Sequence, residues 1–137
     1  MKEGWIGDDY LVLFDEVEVA QVTARYQVAT QLPGHNVIGL RGWDDLIVRD
    51  AAGSAHVVPS VPMDPQHMTP YVVPGQSALK QDSRFAGKIK WYLQPVVFGG
   101  DPNAGPNVAW VTHEQHGELV AWWNAKYREL KTNGGAA

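Results

Sequence analysis

A continuous apolar stretch, Tyr10-Leu11-Val12-Leu13-Phe14, follows Asp8-Asp9 and has the length of a β-strand. Asp15 then reads as a helix N-cap, with Glu18 placed to complete a capping box. Glu16 and Glu18 put negative charge in the first turn, where the helix dipole favours it. The pattern predicts a helix to about Tyr26, with Val17, Ala20, Ala24 and Tyr26 or Gln27 toward the core. The β-branched Val19, Val22 and Thr23 lower its intrinsic propensity. Leu32-Pro33-Gly34 marks a turn. Three short runs come next: Asn36–Leu40, Leu46–Arg49 and Ala55–Val58. They are separated by the loop Arg41–Asp45 and the hairpin signal Asp50-Ala51-Ala52-Gly53-Ser54. This spacing predicts an antiparallel meander packed on the first helix.

Residues 59–76 carry Pro59, Pro62, Pro65, Pro70 and Pro74, so they form an edge or a connector. Residues 77–86 give no firm pattern and admit a short helix. Ile89 to Phe98 reads as a strand interrupted at Pro95, Gly99 to Asn107 as a long turn, and Val108–Val111 as a short strand. Thr112 with Gln115 forms a second capping box. His116, Leu119 or Val120, Trp123, Tyr127 and Leu130 then recur at helical spacing, up to Gly134-Gly135. The fold class expected is α+β: an antiparallel meander on helices, then a ββα-like hairpin and a long amphipathic helix.

The length of 137 residues fits one domain, with two fused lobes, 1–75 and 76–137, as the limit. It suffices to bury a core without staples. The absence of cysteine removes a disulfide scaffold, an iron–sulfur site, a zinc ribbon and a thiol nucleophile, and is compatible with the cytosol. Six Trp point to ring-anchored packing or an interface. No apolar run reaches the roughly 18–20 residues of a membrane helix, and Met1-Lys2-Glu3-Gly4-Trp5 is not of signal-peptide type. A cytoplasmic protein without a membrane partner is therefore expected. The formal charge of −4 divides into −6 over residues 1–75 and +2 over residues 76–137. The acidic first lobe argues against nucleic acid, whose phosphates need Lys and Arg, and for a basic protein partner.

Candidate chemistry is sparse. His113 and His116 are three apart on one predicted helix, but two imidazoles are too few for a metal site. Asp44-Asp45 beside Trp43 could be a carboxylate pair, yet adjacent residues on a strand point to opposite faces. As an exposed acidic spot for a partner, the same residues need no shared face. Gly99-Gly100 lacks the phosphate-loop patterns, and no Ser sits in a G-x-S-x-G elbow. No catalytic residue and no cofactor follow from spacing.

Two resemblances add to this reading. Gly4-Trp5-Ile6-Gly7, then Tyr10–Val28, Leu32–Gly53 and His56–Asp64, is similar in order to the SUKH superfamily of immunity and cell-wall-regulator-like proteins. That pattern has a Leu-Phe strand, a helix opening with acids, a Pro-Gly turn, a Gly-rich strand-loop and a closing Val-Pro with Met-Asp. The family loop is replaced here by Leu40-Arg41-Gly42-Trp43-Asp44-Asp45. The family's usual opening helix has no counterpart before Gly4, which implies a shortened member or compensation by the tail or by a second copy. The tail, Lys88 to about Leu130, resembles a degenerate HNH-type ββα unit. Trp91 and Tyr92 stand where that motif has its histidine pair, whereas Asn107 and His116 match it. Neither Trp91 nor Tyr92 can act as an imidazole ligand or as a base near neutral pH. The resemblance implies the shape of the unit without nuclease activity, its would-be cavity filled by Trp91 and Tyr92 and extended by Trp110, Trp122 and Trp123.

Together these resemblances imply a non-catalytic, immunity-type protein that binds a bacterial toxin with a basic cleft. The expected contact residues are Asp8, Asp9, Asp15, Glu16, Trp43, Asp44 and Asp45. Two alternatives are a structural or adaptor module that dimerises through the aromatic tail, and a metal-dependent nuclease using His113, His116 and His56 or His67. The partner is expected to meet a monomer or a homodimer.

Overall fold

The computed structural model describes residues 1–95, 98–101, 103 and 105–135, with side chains up to Lys131. Val96, Val97, Pro102, Ala104, Ala136 and Ala137, which fall in the predicted strand end, the long turn and the chain end, lie outside the described residues. Strand β1 (Lys2–Ile6) pairs antiparallel with β2 (Asp9–Leu13), and α1 (Glu16–Arg25) and the single turn α2 (Val28–Gln31) follow. Strands β3 (Asn36–Arg41), β4 (Asp45–Arg49), β5 (Ala55–Pro59) and the two-residue β6 (Thr69–Pro70) complete a six-stranded antiparallel sheet in sequential order. Strands β7 (Ile89–Tyr92) and β8 (Val108–Val111) form a second, two-stranded sheet, and α3 (His113–Gly135) closes the described chain. This is the α+β meander that the sequence predicts.

Strand β1 is an element that the apolar pattern does not reveal, because it carries Lys2, Glu3 and Gly4. It is held by a two-residue connection, with Ile6 opposite Asp9 and Gly7 at a φ of 59°. Such tight hairpins need positive φ, which glycine supplies without strain. The predicted strand to Phe98 stops at Tyr92, where the chain bends at Leu93-Gln94 ahead of Pro95.

The central strands are apolar on both faces. Tyr10, Val12, Leu40, Leu46, Val48 and Val58 point into one cluster, which α1, β7 and α3 cover with Val22, Tyr26, Ile89, Trp91 and Val120. Leu11, Leu13, Ile38, Ile47 and Val57 form a second cluster on the other face, covered by Tyr71, Val73 and Leu79. The Pro-rich connector is therefore a strap over one face of the sheet. It runs on to a backbone bridge in which Trp5 donates to Lys80 at 2.7 Å and Lys80 donates back at 2.9 Å. Gly39 sits where the layers crowd most: a Cβ there would lie 2.5 Å from the Val12 carbonyl oxygen.

The buried face of α1 differs from the expected one. Val17 is 90 % exposed, and Ala20 and Ala24 are exposed, whereas Val22 and Tyr26 are buried and Val19 and Thr23 are partly so. Two valines and a tyrosine remove more apolar surface from water than two alanines and a valine. The Thr23 hydroxyl also accepts a hydrogen bond from the Val37 N–H at 2.9 Å, tying this face to β3. On α3, His116, Val120 and Asn124 are buried, and Leu130 at the far end of the predicted stripe is exposed.

Asn124 fastens α3 to the sheet. Its side chain accepts from the Met63 N–H at 2.7 Å and donates to the Ser60 carbonyl at 2.7 Å, spanning the turn that carries a cis Val61–Pro62 bond. The substitution Asn124→Ala leaves a buried N–H and a buried carbonyl unpaired. Stability should fall by roughly 2–4 kcal/mol, measured as a drop in the urea midpoint without loss of two-state behaviour.

Candidate functional site

The β3–β4 turn carries Gly42-Trp43-Asp44 between the paired Arg41 and Asp45. Gly42 and Trp43 both adopt left-handed φ, 62° and 65°. For a bulky residue such as Trp this is strained backbone, costing about 1–3 kcal/mol. Ring packing holds it in place. The Trp43 ring stacks on Tyr10 at 5.1 Å and meets Trp5, Phe85 and Trp110 at 5.8, 5.4 and 5.3 Å. Trp43 is thus half-buried among four rings drawn from β1, β2, the 80–88 segment and β8. It anchors this ring cluster and also lines the cleft beside it.

Beside this cluster a cleft of about 320 Å³ opens between the turn and β7. Trp43, Asp44 and Asp45 line one wall, and Lys90, Trp91 and Tyr92 the other. The end of β5, with Pro59, Ser60 and Val61, and Pro95 complete it. Two sets of residues picked out separately in the sequence, the acidic turn and the pair Trp91-Tyr92, therefore meet in one place. The adjacent carboxylates were expected to diverge. They share the cleft because Asp44 belongs to the turn, where strand alternation does not operate, and only Asp45 opens β4.

The two acids differ in their partners. Asp45 accepts from the Arg41 guanidinium at 3.0 Å. Asp44 has no cation within ion-pair distance among the described residues, and Lys90 acts on it only at longer range. Asp44 is exposed as a residue, but the protein crowding its carboxyl, then the neighbouring Asp45 charge, pushes that carboxyl above its ordinary value, against the pull of Lys90. Burial likewise raises Asp45, partly offset by Arg41. Lys90 rests its ammonium over the Tyr92 ring, 5.5 Å from the centroid.

The expected contact residues are split by the fold. Asp8 and Asp9, at the β1–β2 turn, share an end of the sheet with the β3–β4 turn, since the Gly42 N–H bonds to the Tyr10 carbonyl at 2.8 Å. Asp15 and Glu16 lie at the other end of β2, about 17 Å away by strand rise. Asp15 there accepts from the Met1 ammonium at 2.8 Å. Five of the seven residues gather at one end of the sheet, and Asp15 and Glu16 lie at the other, five residues of strand away.

Strands β7 and β8 with α3 form a ββα unit, but its polar residues have structural work. The Asn107 side chain accepts from Gln94 N–H at 2.8 Å and donates to the Gln94 and Asp101 carbonyls at 3.1 and 3.2 Å, stapling the 93–101 loop. His116 is fully buried, hydrogen-bonded through Nδ1 to the Tyr26 hydroxyl at 2.5 Å, with the Trp91 ring edge-on at 5.4 Å. His113 packs against Phe14 at 6.2 Å. His56 is on β5 and His67 in an exposed turn. No group of three metal-binding side chains forms among the described residues. Trp123 packs on Phe98 at 4.7 Å and meets Trp122 at 4.8 Å, while Trp110 packs on Trp43 and Phe85; Trp110 and Trp122 each keep about half of their surface exposed. No helix among the described residues is long and apolar enough to cross a membrane.

No family model, no curated protein and no solved structure matches the chain.

Burial, and then the His113 charge, lowers the His116 pKa to about 3. The unfolded chain takes up this proton below its ordinary value near 6.5, while the folded chain refuses it. Stability is therefore complete above about pH 6.5 and falls by up to ~1.4 kcal/mol per pH unit as the pH drops toward 3. Urea unfolding at pH 7.5, 6 and 5 should show this slope, and His116→Gln should flatten it.

Proposed function

We propose that this chain is a non-catalytic binding protein of the immunity type, which neutralises a bacterial toxin domain by covering a basic active-site cleft. The observation that carries the reading is the gathering of Asp8, Asp9, Asp44 and Asp45 at one end of the sheet, around a cleft with aromatic walls. Buried aromatic anchors inside a charged rim are what a tight protein interface needs, and an acidic rim speeds encounter with a basic target. The ordered resemblance of residues 4–64 to SUKH proteins supplies the class of partner. In the ββα unit, Asn107 is engaged in internal hydrogen bonds and His116 is buried with its Nδ1 bonded to the Tyr26 hydroxyl.

The test is coexpression with a toxin domain encoded next to this chain, scored by growth, with affinity then measured by calorimetry on the purified pair. Rescue of growth is expected. The double reversal Asp44→Lys with Asp45→Lys should weaken binding at least tenfold. Absence of rescue removes the function, and affinity that the double reversal leaves unchanged removes the surface.

A second reading, a self-associating adaptor, draws on α3, where Trp122 is 58 % and Leu130 47 % exposed. Large apolar side chains left in water on one helix favour self-association. Light scattering decides it. A mass near 30 kDa that reverts to the 15.1 kDa chain in Trp122→Ser supports the adaptor, and a concentration-independent monomer removes it.

A further inference from the structure

The cleft between the β3–β4 turn and β7 has the makings of a specific receptor. Its volume of about 320 Å³ is at the small end of ligand pockets, suited to one long side chain and too small for a dinucleotide. Its walls combine three aromatic residues, Trp43, Trp91 and Tyr92, with two carboxylates, of which only Asp45 has a bound cation. Trp91 is 5 % exposed, and its indole N–H is buried without an acceptor, as is that of Trp43. A buried donor left unmet is costly and native proteins seldom tolerate it. Among the described residues, the site also lacks a cation at ion-pair distance from Asp44.

We propose that this cleft receives one arginine side chain of a protein partner, the guanidinium pairing with Asp44 between the aromatic walls. Guanidinium is preferred over ammonium because it is planar, weakly hydrated and stacks on aromatic faces. Lys90 is the resident competitor: it faces the same acids and parks its own ammonium on Tyr92. Asp9 adds negative charge from the neighbouring turn, which acts on Asp45. The proposal rests on the preceding reading only in taking the occupant to be a protein side chain.

The experiment is a ¹H–¹⁵N NMR titration of the whole chain, following the indole N–H signals of Trp43 and Trp91. The probes are N-acetyl-arginine N-methylamide, its neutral isostere from citrulline, and the lysine analogue. Saturable shifts at both indoles are expected with the arginine probe, with affinity at least tenfold weaker for the other two. Asp44→Asn should weaken arginine binding at least tenfold while the remaining spectrum stays in place, and Lys90→Met should tighten it severalfold. The proposal falls if the indoles do not shift saturably, if citrulline or lysine binds as well as arginine, or if Asp44→Asn binds like the parent chain. No toxin takes part in this titration. Arginine binding without toxin rescue removes only the immunity reading, and rescue without arginine binding removes only the receptor.

Discussion

The sheet cannot stand in water with either face bare, and the rest of the structure answers that constraint. Leu11 and Leu13 point one way from β2, Tyr10 and Val12 the other, and all four are buried. An antiparallel sheet more commonly leaves one face wet, and then its strands alternate apolar and polar. Here the alternation is missing, so two covers are required. The helices and β7 supply one; the Pro-rich strap with Tyr71, Val73 and Leu79 supplies the other. Proline suits the strap because a cover that lies on the sheet needs few ladder hydrogen bonds of its own. Residues 76–137 consequently share the core of residues 1–75 through Ile89, Trp91 and Val120.

Covering a sheet with a separate hairpin creates a seam, and the rings close it. Trp43 reaches left-handed backbone at the turn tip and locks between Tyr10 of the sheet and Trp110 of the hairpin. Trp5 adds a hydrogen bond from its indole N–H to Asp82 at 3.1 Å, and Tyr10 donates to Glu3 at 2.6 Å. Where the ring packing stops, the two walls diverge and the cleft begins. The same residue therefore explains both the closure of the seam and the strained turn that presents Asp44.

The legible parts of the chain were those in which one local signal decides. Asp50 and Gly53 mark the β4–β5 hairpin, where the Asp50 carboxylate accepts from the Ala52 and Ser54 N–H groups at 2.9 Å. Thr112 and Gln115 mark the start of α3 through reciprocal bonds of 3.0 and 3.1 Å. What stayed hidden depends on partners distant in sequence. The composition of β1 is polar enough to look like a tail, although Gly7-Asp8 is a hairpin signal that could have exposed it. The inward face of α1 was ambiguous because valines occupy both faces, and β3 decides through Thr23. Asn124 has no sequence mark at all: its importance comes from a turn some sixty residues earlier, which it meets only after folding. At the site, Trp43, Asp44, Asp45, Trp91 and Tyr92 were each singled out, but their meeting is a property of the seam.

The uneven charge along the chain gains its meaning from the same seam. Pairs that cross between the two halves are few: Lys131 with Asp64 at 3.3 Å and Arg25 with Glu114 at 4.0 Å. Both involve exposed side chains, and such pairs contribute about 0–1 kcal/mol, so they do little to hold the halves together. Two other cations of the tail are paired within it, Arg84 with Asp82 and Lys126 with Glu129. The acids at the β1–β2 and β3–β4 turns are thus left largely without tail cations. Lys90 comes nearest, and it rests on Tyr92 instead of reaching ion-pair distance from Asp44. The basic tail covers the acidic lobe with rings and aliphatic side chains and leaves its strongest negative field at the mouth of the cleft. A solvated acidic surface would need no such arrangement: its charges would lie apart, in water, at ordinary pKa. Here Asp44 and the half-buried Asp45, which accepts from Arg41 at 3.0 Å, instead face one cleft with aromatic walls.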